Sequence, residues 1–173
     1  NELSLTQPLT VTKPLYVAGG LIMPEGAQIT VDGTIFCVNG ELVCDNLTVQ
    51  NGGMAELTCS WRGTGGLADL TVTGGSWVYT RDSSFEMRGV VLDEGSMLLW
   101  DVNNGVPLTS ASVSGGSVLA LVGEDMFSAA LELDVSGSRV IQLCGMDLMG
   151  AAVIEVDGGA AYRQSGELQL SEG

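Results

Sequence analysis

The chain carries 21 acidic and six basic residues, four cysteines and no histidine, for a net charge of −15. That inventory decides which chemistries are open. Without histidine a zinc site would need all four thiolates, and no Cys-x-x-Cys spacing occurs among Cys37, Cys44, Cys59 and Cys144. The four cysteines allow three disulfide pairings. Cys37, Cys44 and Cys59 fall in neighbouring repeats, so one bridge among them is expected, with Cys144 a buried free thiol. Three carboxylates, Asp134, Glu155 and Asp157, converge on the last two repeats. Oxygen ligands of this kind suit calcium, although Arg139 or Arg163 would serve equally to neutralise them. Paired carboxylates for glycoside hydrolysis could be drawn from Asp93, Glu94 and Asp101, or from Glu124 and Asp125; both groups equally fit solvated turns. No Gly-x-Ser-x-Gly, phosphate-binding loop or dinucleotide fingerprint is present. The residues that could do chemistry therefore point away from catalysis, with no cofactor expected beyond a calcium ion.

The charge balance also bounds the partners. Phosphate recognition needs clustered Lys and Arg, whereas Lys13, Arg62, Arg81, Arg88, Arg139 and Arg163 are scattered. A nucleic-acid partner and an anionic membrane surface are both disfavoured. No apolar run approaches the ~18 residues of a membrane span, and no signal peptide is recognisable in the opening residues. Asn46-Leu47-Thr48 matches a glycosylation sequon.

The elements that must position these groups are announced by a repeat. An apolar–polar–apolar triplet recurs as Leu9-Thr10-Val11, Ile29-Thr30-Val31, Leu47-Thr48-Val49, Leu70-Thr71-Val72, Val90-Val91-Leu92, Ala111-Ser112-Val113, Leu133-Asp134-Val135 and Ile154-Glu155-Val156. Its third residues, the anchors, are 18 to 23 positions apart. Seven of the eight anchors are followed by a glycine turn, as in Gly75-Ser76, Gly95-Ser96, Gly116-Ser117 and Gly137-Ser138; the first has Lys13-Pro14 instead. A second apolar stretch follows each turn. A weaker third segment, around Val43, Met87, Leu131 and Leu148, precedes the next anchor and absorbs the drift in period.

A strand-bearing period near 20 is the signature of a solenoid. Three short strands per coil of about 21 residues predict an all-β, single-domain parallel β-helix over residues 1–173. The variable period favours the right-handed form. Eight coils at ~4.8 Å per strand give a rod roughly 38 Å long. The chain resembles the parallel β-helix superfamily, which includes pectin-lyase-like enzymes, phage tailspikes, adhesin passengers and polymer-forming scaffolds. The resemblance covers nearly the whole chain and is one of architecture. It implies an extracellular location or one at a cell or virion surface, and carries over no functional residue. The superfamily's polysaccharide lyases and hydrolases combine carboxylates with arginine, lysine or histidine in long-looped clefts; this chain has short loops and no histidine.

Strand alternation then assigns the faces. In the anchor strand the middle residues of the triplets point outward, as do Thr12, Asp32, Gln50, Thr73, Asp93, Ser114, Ser136 and Asp157. Thr10-Val11-Thr12 and Thr71-Val72-Thr73 resemble the arrays of ice-binding solenoids, but Asp32 and Gln50 interrupt the pattern, and β propensity alone accounts for the threonines. In the second strand the core row is expected to be Phe36, Val78, Leu98, Leu119, Val140 and Tyr162. Ile35, Trp77, Met97 and Val118 on one side, and Cys37, Tyr79, Leu99 and Ala120 on the other, then face outward, with Trp61 and Trp100 available to extend the patch. An apolar outer face marks an interface. The function expected is a non-catalytic structural or adhesive module that self-associates laterally or end to end, in a homo-oligomer, filament or larger assembly. The alternatives are a glycan- or surface-binding module using the exposed aromatics, a polysaccharide-active enzyme and an ice-binding solenoid.

Overall fold

The structure, a computed structural model, describes residues 2–101, 108–123, 126–129, 131–143, 145–149, 153–164 and 168–171. The described residues form strands and no helix, wound into a parallel β-solenoid of about seven turns with a repeat near 21 residues.

The triplets build one sheet of eight strands, the anchor sheet: Leu9–Val11, Gln28–Asp32, Asn46–Gln50, Ala68–Val72, Met87–Leu92, Leu108–Val113, Glu132–Ser136 and Val153–Asp157. Every neighbouring pair is parallel, and the eight anchors Val11, Val31, Val49, Val72, Leu92, Val113, Val135 and Val156 lie in one column. From Val31 to Val135 the column is completely buried. Each aliphatic anchor therefore packs on its equivalents in the coils above and below, and inward-facing side chains throughout the rod join one continuous core.

The stretches after the turns form the second sheet. Its main strands are Leu15–Ile22, Ile35–Val43, Met54–Arg62, Trp77–Thr80, Met97–Asp101, Val118–Val122, Arg139–Gln142 and Ala161–Gln164. Phe36, Ala55, Val78, Leu98, Leu119, Val140 and Tyr162 stand in register along it. All but Tyr162 are buried, and the half-buried Tyr162 donates its hydroxyl to Gln142 Oε1 below.

The third segment behaves differently from expectation. It forms a sheet of its own only in the last coils, as Met126–Ala129, Gly145–Met149 and Leu168–Ser171. In the early coils it fuses with the second strand, giving the nine-residue strands that end at Val43 and Arg62. Gly40 helps make this continuous ladder. It sits at φ +140°, and a Cβ there would lie 2.4 Å from the carbonyl oxygen of Gly19 in the coil before, so only glycine fits. Met87 opens an anchor strand and Leu131 directly precedes another.

The turn after the anchor is itself a stacked element. The residue two beyond each of seven anchors (Gly33, Asn51, Gly74, Glu94, Gly115, Gly137, Gly158) has φ between 54° and 65°. Glycine holds five of the positions because this left-handed conformation costs it little. The next residues donate along the rod: Gly52 to the Gly74 carbonyl at 2.9 Å, Gly75 to Glu94 at 2.9 Å and Gly95 to Gly115 at 2.8 Å.

A buried serine ladder follows at the inner side of these turns. The Ser76 N–H donates to Ser96 Oγ at 3.2 Å, the Ser96 N–H to Ser117 Oγ at 3.1 Å, and the Ser117 N–H to Ser138 Oγ at 3.2 Å. All four serines are buried. The ladder's first hydroxyl, Ser76 Oγ, has no partner among the described residues. The preceding turn offers Gly53, whose N–H already donates to the Gln50 carbonyl at 3.0 Å. Ser96→Ala leaves the Ser76 N–H without its side-chain acceptor in the core, and should cost about 1–3 kcal/mol. Ser76→Ala removes an unpaired hydroxyl and should be close to neutral. Urea unfolding midpoints of the two variants check the contrast.

Candidate functional site

Among the outward rows of the second sheet two are largely apolar, and the row beyond them holds Asp101 and Val122. One runs Ile35, Met54, Trp77, Met97, Val118, Arg139 and Ala161; the other runs Tyr16, Cys37, Glu56, Tyr79, Leu99, Ala120, Ile141 and Arg163. Alternation creates them, since the residue between each pair points into the core. Trp77 is 57% exposed, Tyr16 68%, and Met54 and Tyr79 37% each; Ile35, Met97, Leu99 and Val118 are half-buried by their neighbours. Between Ile35 and Ala120 the two rows contain one charged side chain, Glu56, whose Oε2 stands 4.0 Å from Cys37 Sγ. This apolar strip lies on a chain of net charge −15.

Trp61 and Trp100 do not extend the strip. Both occupy inward positions and are 1% and 2% exposed. Trp61 donates its Nε1–H to the Cys44 carbonyl at 2.9 Å and meets Phe85 edge-on at 5.6 Å; Phe85 lies 5.8 Å from Trp100. The three rings fill the core where the third segment fuses with the second, and the indole N–H is satisfied inside.

The expected disulfide is absent as well. Cys37, Cys44 and Cys59 are free thiols. Cys37 faces outward opposite Glu56, whereas Cys59 faces inward opposite Gly40, so the two side chains diverge. Cys44 donates to the Asn46 carbonyl at 2.9 Å. Burial pushes its thiol up to about 11 and that of Cys59 up to about 12, so both stay protonated and unreactive at neutral pH. Burial, and then the Glu56 carboxylate, raise Cys37 as well. Cys144 lies outside the described residues.

The outer face of the anchor sheet carries the polar ladders. Thr10, Thr30, Thr48, Thr71, Val91, Ser112, Asp134 and Glu155 stand in one column. Much of this face is knitted to itself. Gln28 Nε2 donates to Thr30 and Thr48 Oγ1 at 3.0 Å each, Thr73 Oγ1 to Glu94 Oε2 at 2.8 Å, and Ser114 Oγ to Asp93 Oδ1 at 2.9 Å. Asp93 is thereby held in a turn, while Asp101 ends a strand of the second sheet; Glu124 and Asp125 lie outside the described residues.

Toward the last coils the small residues Gly89, Ser110 and Ser112 leave a groove of about 530 Å³, bordered by Val91, Val153, Glu132, Asp134 and Glu155. Asp134 and Glu155 are direct neighbours on adjacent strands, while Asp157 pairs with Ser136 and lies outside the groove. Among the described residues no three His, Cys, Asp or Glu side chains are grouped to hold a metal ion. The calcium site expected at Asp134, Glu155 and Asp157 is thus not assembled. Outward side chains two apart on a strand are separated by roughly 7 Å and project in parallel, so they do not converge on one ion.

One carboxylate is strongly engaged, at a corner between sheets. Asp45 accepts from the Gly26 N–H at 2.6 Å, the Thr64 N–H at 2.7 Å and the Thr64 hydroxyl at 2.8 Å. Partial burial acts to raise its pKa. The hydrogen bonds from Gly26 and Thr64, with a contribution from the Arg88 guanidinium, outweigh that and hold the carboxyl below its usual range. Arg88 itself forms a two-pronged pair with Asp69.

No protein-family model, curated protein or solved structure matches the chain. The class is set by the fold: a parallel β-solenoid.

A depressed carboxyl pKa contributes stability above the unfolded value near 4, and that contribution is lost as pH falls through the folded value. Asp45→Asn should therefore lower the urea midpoint more at pH 7 than at pH 3. Equal destabilisation at both pH values would contradict the role assigned to the ionised carboxylate.

Proposed function

We propose that the chain is a non-catalytic structural module that associates laterally through the outer face of its second sheet. The observation that carries this reading is the apolar strip from Ile35 through Trp77, Tyr79, Met97 and Leu99 to Val118, exposed on an otherwise strongly acidic rod. A contiguous apolar surface of this kind is normally covered by a partner. Two strongly acidic copies can approach each other at least electrostatic cost where neither carries charge.

A second reading, a glycan- or surface-binding module, is favoured by the exposed rings of Tyr16, Trp77 and Tyr79 on this same face. Aromatic faces stack well against apolar ligand surfaces. Binding to a glycan array that disappears in Trp77→Ala would select it.

Sedimentation velocity of the wild type and of Trp77→Asp/Leu99→Asp tests the lateral reading. Concentration-dependent association in the wild type, abolished in the double variant, is the expected result. A wild type that stays monomeric into the high micromolar range would end it.

A further inference from the structure

We infer that the partner on this face is a second copy of the chain, packed with the two rods antiparallel about a two-fold axis. The axis runs parallel to the strands and crosses between Met97–Asp101 and Val118–Val122. This rests on the lateral reading above and adds to it the partner and the register.

The charges on the two largely apolar outward rows lie toward their ends. Six consecutive strands of the second sheet run from Met54–Arg62 to Ala161–Gln164. On these two rows the first strand carries Glu56, the next three carry no charge, the fifth carries Arg139 and the sixth Arg163. All three charged residues are exposed, and none of them forms a salt bridge among the described residues. The strip is therefore acidic at one end, apolar in the middle and basic at the other end.

Such a surface complements itself in only one sense. Two parallel rods related by a two-fold along their length would set Glu56 at the level of the partner's Glu56 and each arginine at the level of its own equivalent, which brings like charges near one another. Inverting one rod reverses the strand order, so the first strand meets the sixth, the second the fifth, and the third the fourth. An axis parallel to the strands keeps each outward row facing its own equivalent. Glu56 then meets the partner's Arg163, Trp77 meets the partner's Arg139, and Leu99 meets the partner's Ala120.

Each of these encounters has a physical gain. Glu56 with the partner's Arg163 is an opposite-charge pair at the rim. A guanidinium over an exposed indole is a cation–π contact. A large residue against a small one lets the two sheets interdigitate at the ~10 Å spacing of packed faces. The same operation repeats every contact on the other side of the axis, so the interface is isologous and closes as a dimer rather than propagating. The outer anchor faces, with their carboxylates, stay directed to solvent.

The test is sedimentation velocity of the full chain and its variants, with circular dichroism on each to establish that the solenoid is intact. Glu56→Arg and Arg163→Glu should each weaken the dimer by about tenfold, because two rim pairs per dimer become repulsive. The double variant Glu56→Arg/Arg163→Glu should recover most of the wild-type affinity. Glu132→Arg, which changes net charge equally but lies on the anchor sheet, should leave the dimer no weaker. Where a reversal perturbs the fold, Glu56→Gln with Arg163→Gln gives the same comparison at smaller amplitude. Failure of the double variant to recover, while Trp77→Asp/Leu99→Asp still abolishes association, would overturn the two-fold register and leave lateral association standing. A monomeric wild type would overturn both.

Discussion

The structure depends on one constraint: each coil must lie in register on the last, with its backbone hydrogen-bonded to both neighbours. Parallel pairing at ~4.8 Å makes every position in a coil one member of a column. A residue is thus judged by its column as well as by its own environment. The anchor column is aliphatic and buries completely from Val31 to Val135. The turn column needs a left-handed backbone and takes mostly glycine. The serine column exchanges backbone and hydroxyl hydrogen bonds from coil to coil. Where coils approach most closely, as at Gly19 and Gly40, even a methyl group is excluded.

The same constraint distributes polarity over the outside. Like charges stacked in one column repel, and columns that alternate acceptors with hydroxyls or amides avoid this. The anchor face does so through Gln28 with Thr30 and Thr48, and through Asp93 with Ser114. The second sheet takes the other course and leaves the middle stretch of two outer columns, from Trp77 and Tyr79 to Val118 and Ala120, uncharged. Two faces of one coil thereby acquire opposite characters, one self-satisfied and solvated, one apolar and available to a partner.

Much of this was legible in the residues alone. The anchor triplets align as their spacing indicates, and Phe36, Val78, Leu98, Leu119 and Val140 form the inner row expected of them. Trp61 and Trp100 stay out of the apolar patch because alternation, counted from Ala55 and from Leu98, places both inside. The bridge among the cysteines failed for the same reason, since Cys37 and Cys59 belong to outward and inward columns. The serine ladder had its signal in the repeated Gly-Ser pairs, but the pairs alone do not reveal that the hydroxyls face inward. The fused early strands had no such signal. They follow from close coil contact at Gly40, which is a property of two coils together. The groove beside Asp134 similarly arises from missing side-chain volume at Gly89 in one coil and at Ser110 and Ser112 in the next.

The central claim is that the largely apolar outer columns of the second sheet join two rods side by side, antiparallel and slightly offset. Small-angle X-ray scattering over a concentration series tests it most directly, because length and thickness respond separately. The account predicts that the cross-section grows with concentration while the particle lengthens by only about three strand spacings, ~14 Å. A particle that doubles in length at constant cross-section, or one whose scattering is independent of concentration as a single thin rod, would contradict it.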